Sequence, residues 1–532
     1  MLYFVPAWYK QNTWSENEQL WYRRRMKSEF DETIKQITLF HRNVEVDYQI
    51  INLSFSPNFR HFLHRQGMYR APYWSCFDAI AQVRRTKAAV LSYQDIKWPQ
   101  GVEFVYSPFA IVAFLKGEKF AKVEFGEDGN PISIDMYEKG KISRRNYYDD
   151  RGFVAGSVVY EDGVPLYQDY LMENGIWKLR HYVSDGHVEV NGAYPNYDMV
   201  AEDGRKELPF TKSCYDSLDE VIEEVLMAYI GNTKPKDKFF VAAHPLHIDI
   251  LGRCLLGKSI VLTFFEDRFD YSKIDNIRNF IKQSSYVITD SKKTSELIKQ
   301  NLGMTDFNIT DISPYDTRMD FGISRQLEVQ NIFLPIDGIS ANEFERIIKE
   351  VAGYLAKNEL ARVHLFSRDA TWGREDEIRK ELIGILNKYE FDSRWALPEG
   401  VQPVSENNID TEEIDEVTQR FFIDICVDER TISKCINEQR VILDLRNTTD
   451  VFVFITAISK GVPRISMSRD QFFEHKKNGY LIQDYSKIEE SISFYLDSME
   501  NWNEALVACY EIGKEYTTKN LIDSWRRVLD VV

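Results

Sequence analysis

A chain of 532 residues is longer than a single hydrophobic core supports, so two to four domains are expected. Its 44% hydrophobic content excludes a disordered chain, and 83 acids against 66 bases, a net charge of −17, argue against bulk nucleic-acid binding. Six cysteines at 76, 214, 254, 426, 435 and 509 form no CxxC pair and read as reduced thiols of a cytoplasmic protein. Residues 2–7 begin the chain as a buried strand. Ser15 and Glu18 make an S-x-x-E capping box that opens a helix to about Phe40. A second strand at 46–55 and helical segments to about Leu91 complete a β-α-β-α start, the opening of a doubly wound sheet. No glycine precedes Gly67, so no phosphate-cradling loop follows the first strand. The first residues, MLYFVPAWYKQ, lack the basic start and apolar core of a signal peptide, and no apolar stretch approaches the ~20 residues of a membrane span.

The charge is uneven. Residues 1–100 hold 14 Lys/Arg against 9 Asp/Glu, among them Arg23, Arg24, Arg25 and Lys27. The plain reading is the solvated face of one helix. The sharper one is a face for an acidic partner or for peripheral contact with an anionic membrane.

From about Gly101 the pattern changes. Glycines fall at 117, 129, 140, 152, 163, 175 and 186, alternately 12 and 11 apart. Most follow Asp, Asn or Lys, as in Asp128-Gly129, Lys139-Gly140 and Asp162-Gly163, pairs that suit tight hairpin turns. Alternating runs between them, such as 120–125 and 132–137, predict an antiparallel β-meander inserted into the α/β chain. Its Tyr and Trp side chains either cover the sheet's own core or stack on sugars and partners.

The α/β pattern resumes at Ser217, which with Glu220 forms another capping box. Strands at 239–243, 260–265, 286–289 and about 309–312 rejoin the first sheet. A second α/β unit starts at 331–335. Ser340 and Glu343 cap its first helix, whose apolar residues at 344, 347, 348, 351, 354 and 355 share one face. Strands follow at 362–366, 421–427 and 441–445, and a loop at 402–418 between the first two carries six acids and no base. Ser486 and Glu489 open a further helix, and helices fill 504–529. The expected division is 1–100 with 197–328, 101–196 inserted, 329–510, and a tail at 511–532 crossing back to the first unit.

Three local patterns bear on chemistry. GRCLLGKS at 252–259 fits the P-loop expression, but it follows a helix and opens a strand, the reverse of a P-loop. His244 and His247, with Asp249 nearby, place two imidazoles three residues apart and supply no third metal ligand. His244 ends a strand, where open sheets bind ligands, so cleft lining and a plain helix-start histidine both stand. In the second unit Arg368 and Arg446 end neighbouring strands, where they could supply positive charge to a diphosphate.

The stretch VILDLRNTTDVFVFITAISKGVPRISM at 441–467 reads as strand, helix and strand, a parallel crossover. Thr448 or Thr449 caps the helix, Asp450 lies in its first turn, and Gly461 and Pro463 end it. Its part AISKGVPRI at 457–465 resembles the donor-site segment of GT-B glycosyltransferases. The resemblance places the family's two donor-binding glutamates at Thr448 and Thr456, neither of which is a carboxylate. The family's usual Arg and Lys after the first strand of the second domain are also missing from 333–345.

Together with YFVPAWY at 3–9 and the glycine-punctuated meander, the whole chain resembles the first of the three accessory secretory proteins of the accessory Sec system. The resemblance implies a GT-B-like fold of two Rossmann-like domains with the inserted meander. It further implies a cytoplasmic, non-catalytic export component without cofactor or metal. The implied partners are the second and third accessory secretory proteins, the accessory Sec ATPase and an O-glycosylated serine-rich-repeat adhesin. A carbohydrate or donor-equivalent site would draw on Thr448, Thr456, Arg446, Asp450, Arg368 and His244. The alternative is an active glycosyltransferase acting on the same adhesin.

Overall fold

A computed structural model describes the chain except residues 17–19, 21–30, 44–45, 194–209, 304–305, 399–418, 447–449 and 531–532. Glu18, the four basic residues at 23–27, the acidic loop and Thr448 therefore lie outside the described residues. The first described helix is Glu32–Asn43.

The first unit holds β1 (Leu2–Val5), α1 (Glu32–Asn43), β2 (Tyr48–Asn52), α2 (Phe59–Arg65), β3 (Tyr73–Ser75) and α3 (Cys76–Ala81). Ten antiparallel strands follow, from β4 (Val102–Tyr106) to β13 (Cys214–Tyr215). The first unit then resumes with α4 (Leu218–Ile230), β14 (Lys238–Ala242), α5 (Ile248–Cys254), β15 (Ser259–Phe264), α6 (Arg278–Gln283), β16 (Tyr286–Thr289), α7 (Lys292–Leu302) and β17 (Ile309–Asp311). Its seven parallel strands lie in the order β17-β16-β15-β14-β1-β2-β3. The order reverses between β1 and β14, a crevice where open α/β sheets place ligands.

The last unit runs β18 (Gln330–Pro335), α8 (Ala341–Leu355), β19 (Ala361–Ser367), α9 (Arg374–Lys388), β20 (Phe421–Ile425), α10 (Glu429–Asn437), β21 (Gln439–Asp444), α11 (Val451–Lys460), β22 (Arg464–Ser466), β23 (Gly479–Leu481), α12 (Ile488–Leu496) and α13 (Met499–Gly513). The strand order β20-β19-β18-β21-β22-β23 is again doubly wound, with its switch between β18 and β21. α14 (Thr518–Asp530) follows α13 and returns to the first lobe, where Trp525 packs edge-on against Phe40.

Local chemistry explains most boundaries. Ser340 caps α8 and Glu343 reaches back to it, a complete capping box. Ser217 accepts the Glu220 N–H at the start of α4. Two predicted caps move. Asp450, not a threonine, is the N-cap of α11 and accepts the Val453 N–H. Ser486 sits inside a 3₁₀ turn capped by Asp484, ahead of α12. An ionised carboxylate is the stronger acceptor at a helix start, where the dipole favours an anion.

All seven periodic glycines of the meander have positive φ. Lys116, Lys139 and Asp162, each just before one of them, do too, as hairpin turns with two left-handed residues require. One stretch of the sheet packs on the first lobe: Phe55 meets Tyr170 at 5.2 Å and Phe77 meets it at 5.0 Å. Its far end carries its own small core around Ala113, Ala121, Val123 and Ile134, roofed by Leu91, Tyr93, Ile96 and Trp98. A buried ion network ties the turn between β8 (Lys141–Asp149) and β9 (Phe153–Glu161) to the first lobe. Arg151 pairs with Asp78 and Asp149, and Arg60 pairs with Asp150.

Candidate functional site between the lobes

The carboxyl ends of β18, β19 and β21 converge on the N-terminus of α11, at the switch point of the last unit. Asp337, two residues past β18, accepts the Arg368 backbone N–H at 2.7 Å. The Arg368 guanidinium donates to Asp450 Oδ1 at 2.9 Å. Arg446 grips Asp444 with two bonds, 2.9 and 2.7 Å, and lies 3.6 Å from Asp450 Oδ2. The side chains of Arg446, Asp444 and Asp450 are buried, and that of Arg368 nearly so. Two guanidinium groups thus stand among three carboxylates. A pyrophosphate needs surplus positive charge, and this arrangement supplies none.

The first lobe answers with Glu266, which follows β15 with a left-handed backbone at φ 48°. Its N–H donates to Asp290 Oδ2 at 2.6 Å. Burial and then the Asp450 charge hold its carboxyl well above the usual range, against the pull of Arg368. Glu266 Oε1 and the Tyr315 hydroxyl are buried and find no hydrogen-bond partner among the described residues. Around them Phe265, Tyr315, Phe333, Phe366 and Phe452 form one buried cluster, with Tyr315 and Phe452 rings 5.1 Å apart. Lys35 on α1 pairs with Glu429 on α10 at 2.5 Å and closes the side of the cleft. Side chains from both lobes thus meet along this part of the cleft.

The structure brings Arg368, Arg446 and Asp450 together. Thr456 lies within α11 and is buried, so a hydroxyl stands where the resemblance expects a carboxylate. His244 does not contact the arginine cluster. It belongs to the switch point of the first lobe, 5.1 Å from the Tyr9 ring, with Nδ1 accepting the Leu246 N–H. Burial, then the Arg268 charge, pulls it down to about 4. Beside it His247 is fully buried, held between the Tyr9 hydroxyl at 2.8 Å and Ala242 O at 2.7 Å, and lowered to about 3. With both ring nitrogens engaged, His247 is a structural group and not half of a metal pair. The residues missed from sequence are Asp337, Asp444, Glu266 and Tyr315. The available signal was positional, a carboxylate at or within two residues of a strand's end in three cases out of four.

Two facing doubly wound lobes with a crossing tail make this a GT-B fold. The pneumococcal O-GlcNAc transferase GtfA, solved with UDP and GlcNAc, matches it with a TM-score of 0.70 over 99% of this chain and 98% of that one. At 11% identity that likeness is one of fold alone. The chain belongs to the accessory Sec system protein family whose members are also called accessory secretory protein 1, with residues 1–531 matched. An accessory Sec system protein of Streptococcus gordonii is 30% identical over 541 residues, 99% of each chain. The crystal structure of accessory secretory proteins 1, 2 and 3 of Streptococcus pneumoniae contains a chain 26% identical, with a TM-score of 0.77 over 99% of this chain and 98% of that one.

Proposed function

We propose that the chain is a non-catalytic component of accessory Sec export that holds O-glycosylated serine-rich-repeat adhesin while it is delivered to the translocase. The carrying observation is the self-paired donor region: Arg368 and Arg446 are matched by Asp337, Asp444 and Asp450, and Thr456 offers no carboxylate. A nucleotide sugar would have to break buried ion pairs to enter, at a cost of about 3–5 kcal/mol for each pair opened. The second and third accessory secretory proteins are the expected partners, by analogy with the pneumococcal complex, and the accessory Sec ATPase is the expected recipient. Work in the cytoplasm, with peripheral contact at an anionic membrane, fits this role; no described helix is long and apolar enough to cross a bilayer.

Because the donor region is self-paired, adhesin contact is assigned to the far end of the meander. There Val105, Tyr106 and Phe109 are exposed large apolar side chains, and the Tyr93 and Tyr106 hydroxyls meet at 2.8 Å. β4 is the last strand of its sheet, so its outer edge can pair with an extended polypeptide while the rings stack on sugars. The test is titration with glycosylated and bare repeats. Preference for the glycosylated form, weakened at least ~10-fold in Tyr106→Ala/Phe109→Ala and unchanged in Thr456→Ala, supports the reading. Equal affinity for both repeats defeats it. Turnover of a radiolabelled nucleotide sugar by the pure chain, lost on Asp450→Asn, would establish the active-transferase alternative instead.

A further inference from the structure

Away from the cleft, on the outer edge of the last sheet, three different side chains converge. His364 lies on β19, Asp424 on the edge strand β20 and Cys435 on α10. In the parallel register His364 sits beside Phe422, so Asp424, two residues on, points from the same face of the sheet. α10 folds back over that face and presents Cys435. His364 Nδ1 lies 2.7 Å from Asp424 Oδ2, and Cys435 Sγ lies 3.3 Å from the same oxygen. One nitrogen, one oxygen and one sulfur ligand atom fall within 4.8 Å of one another, and all three residues are half-buried.

We propose that His364, Asp424 and Cys435 bind a thiophilic divalent metal ion, with Zn²⁺ the fitting ion. The ligand types are those of zinc, and the spacing is close to what a tetrahedral site needs, about 3.2–3.8 Å between ligand atoms. The short nitrogen–oxygen distance is that of two groups sharing a proton, which a metal would replace. The imidazole is already aimed: it stacks on Phe422 at 5.0 Å between centroids and 13° between planes. Charge balance favours the same ion. A carboxylate and a thiolate together neutralise a dication. Metal entry therefore expels the thiol proton to solvent, and the imidazole proton resides on Nε2, freeing the Nδ1 lone pair. A water completes the fourth position. The ion would lock the edge strand to α10, whose first residue, Glu429, pairs with Lys35 of the other lobe.

The site is tested on the full-length chain, reduced and freed of metal by chelation, then titrated with Co²⁺. The expected result is one equivalent bound, with a near-ultraviolet thiolate charge-transfer band and the intense visible bands of tetrahedral cobalt, both erased by Zn²⁺. Cys435→Ser removes the charge-transfer band. His364→Gln and Asp424→Asn each weaken binding at least ~10-fold, and they carry the test if the serine variant fails to fold. Zinc binding at neutral pH should release a proton to the buffer. No thiolate band at excess Co²⁺ overturns the site and leaves a hydrogen-bonded triad. A band that survives Cys435→Ser and vanishes in Cys214→Ser, the exposed thiol, overturns it equally.

Discussion

Asp450 performs three tasks with one carboxylate: it caps α11 through the Val453 N–H, it holds Arg368, and it stands beside Arg446. These can be separated. Asparagine caps as well as aspartate does, while alanine does neither job. Asp450→Asn should therefore cost roughly 3 kcal/mol for the lost anion among buried guanidinium groups. Asp450→Ala should cost about 1 kcal/mol more for the cap. Urea denaturation of both variants measures the difference, and equal losses would remove the cap from the account. His247 gives a second residue-scale expectation. Its folded value of about 3 lies below the ordinary 6.5, so below neutral pH the unfolded chain binds the extra proton. Its contribution is present above pH 6.5 and declines as pH falls toward 3, by on the order of 3 kcal/mol between pH 7 and pH 4. Asp31 and Asp149, raised to about 6 chiefly by burial, act in the opposite direction between pH 4 and 6. The His247→Gln variant isolates the histidine: the stability gap between wild type and variant should shrink by that amount on acidification. A constant gap would mean that His247 does not titrate with unfolding. At this scale sequence reads caps well, because a cap is chosen by residues three or four apart. It reads ion pairs badly: Arg368 and Asp450 are 82 positions apart, and only the fold makes them neighbours.

At the scale of elements, period was the legible quantity. The meander announces itself because its turns need left-handed residues at regular intervals, and the helix faces of α8 because its apolar residues repeat with the helical turn. The strands β3 and β13, of three and two residues, are too short to carry a period, so Tyr73–Ser75 and Cys214–Tyr215 join their sheets unannounced. The seam between meander and first lobe was equally hidden. Gly156, which is not one of the seven periodic glycines, lies within strand β9, where an added Cβ would come within 2.9 Å of the Phe55 ring and 3.2 Å of Asp169 O. Gly163, at a hairpin tip, has nothing within 4 Å but a φ of 85°. Gly163→Ala should cost about 1–2 kcal/mol, the left-handed penalty alone. Gly156→Ala should cost about 1–3 kcal/mol by overpacking, and it should loosen the seam. Hydrogen exchange distinguishes them. Faster exchange in α3 and β9 is expected only for Gly156→Ala, and its absence would mean the seam absorbs a methyl group without opening.

Across the whole molecule, the tail decides whether the two lobes behave as one body. α14 belongs to the last unit by sequence, yet Trp525 packs on the first lobe, 5.6 Å from Phe40 and 5.7 Å from Phe240 between ring centroids. Lys238, at the start of β14, donates its ammonium to the carbonyls of Val528 and Leu529 at the C-terminal end of α14. Thr317 donates to Gly513 O, so the connection between lobes is bonded to the end of α13 just before the tail departs. Together with the ring contacts of Tyr315 with Phe265 and Phe452, these contacts make a clasp between the lobes. Rigidity of this kind suits the role proposed above. Trp525→Ala removes the clasp's largest buried side chain and should cost about 3–5 kcal/mol, taken from the first lobe. The prediction is specific in place as well as size. Amide exchange should quicken in α1 and β14, and the calorimetric transition should broaden toward lower temperature as the first lobe melts ahead of the last. If exchange at α1 and β14 is unchanged while overall stability falls, the tail stabilises only its own unit, and the lobes are joined by the cleft contacts alone.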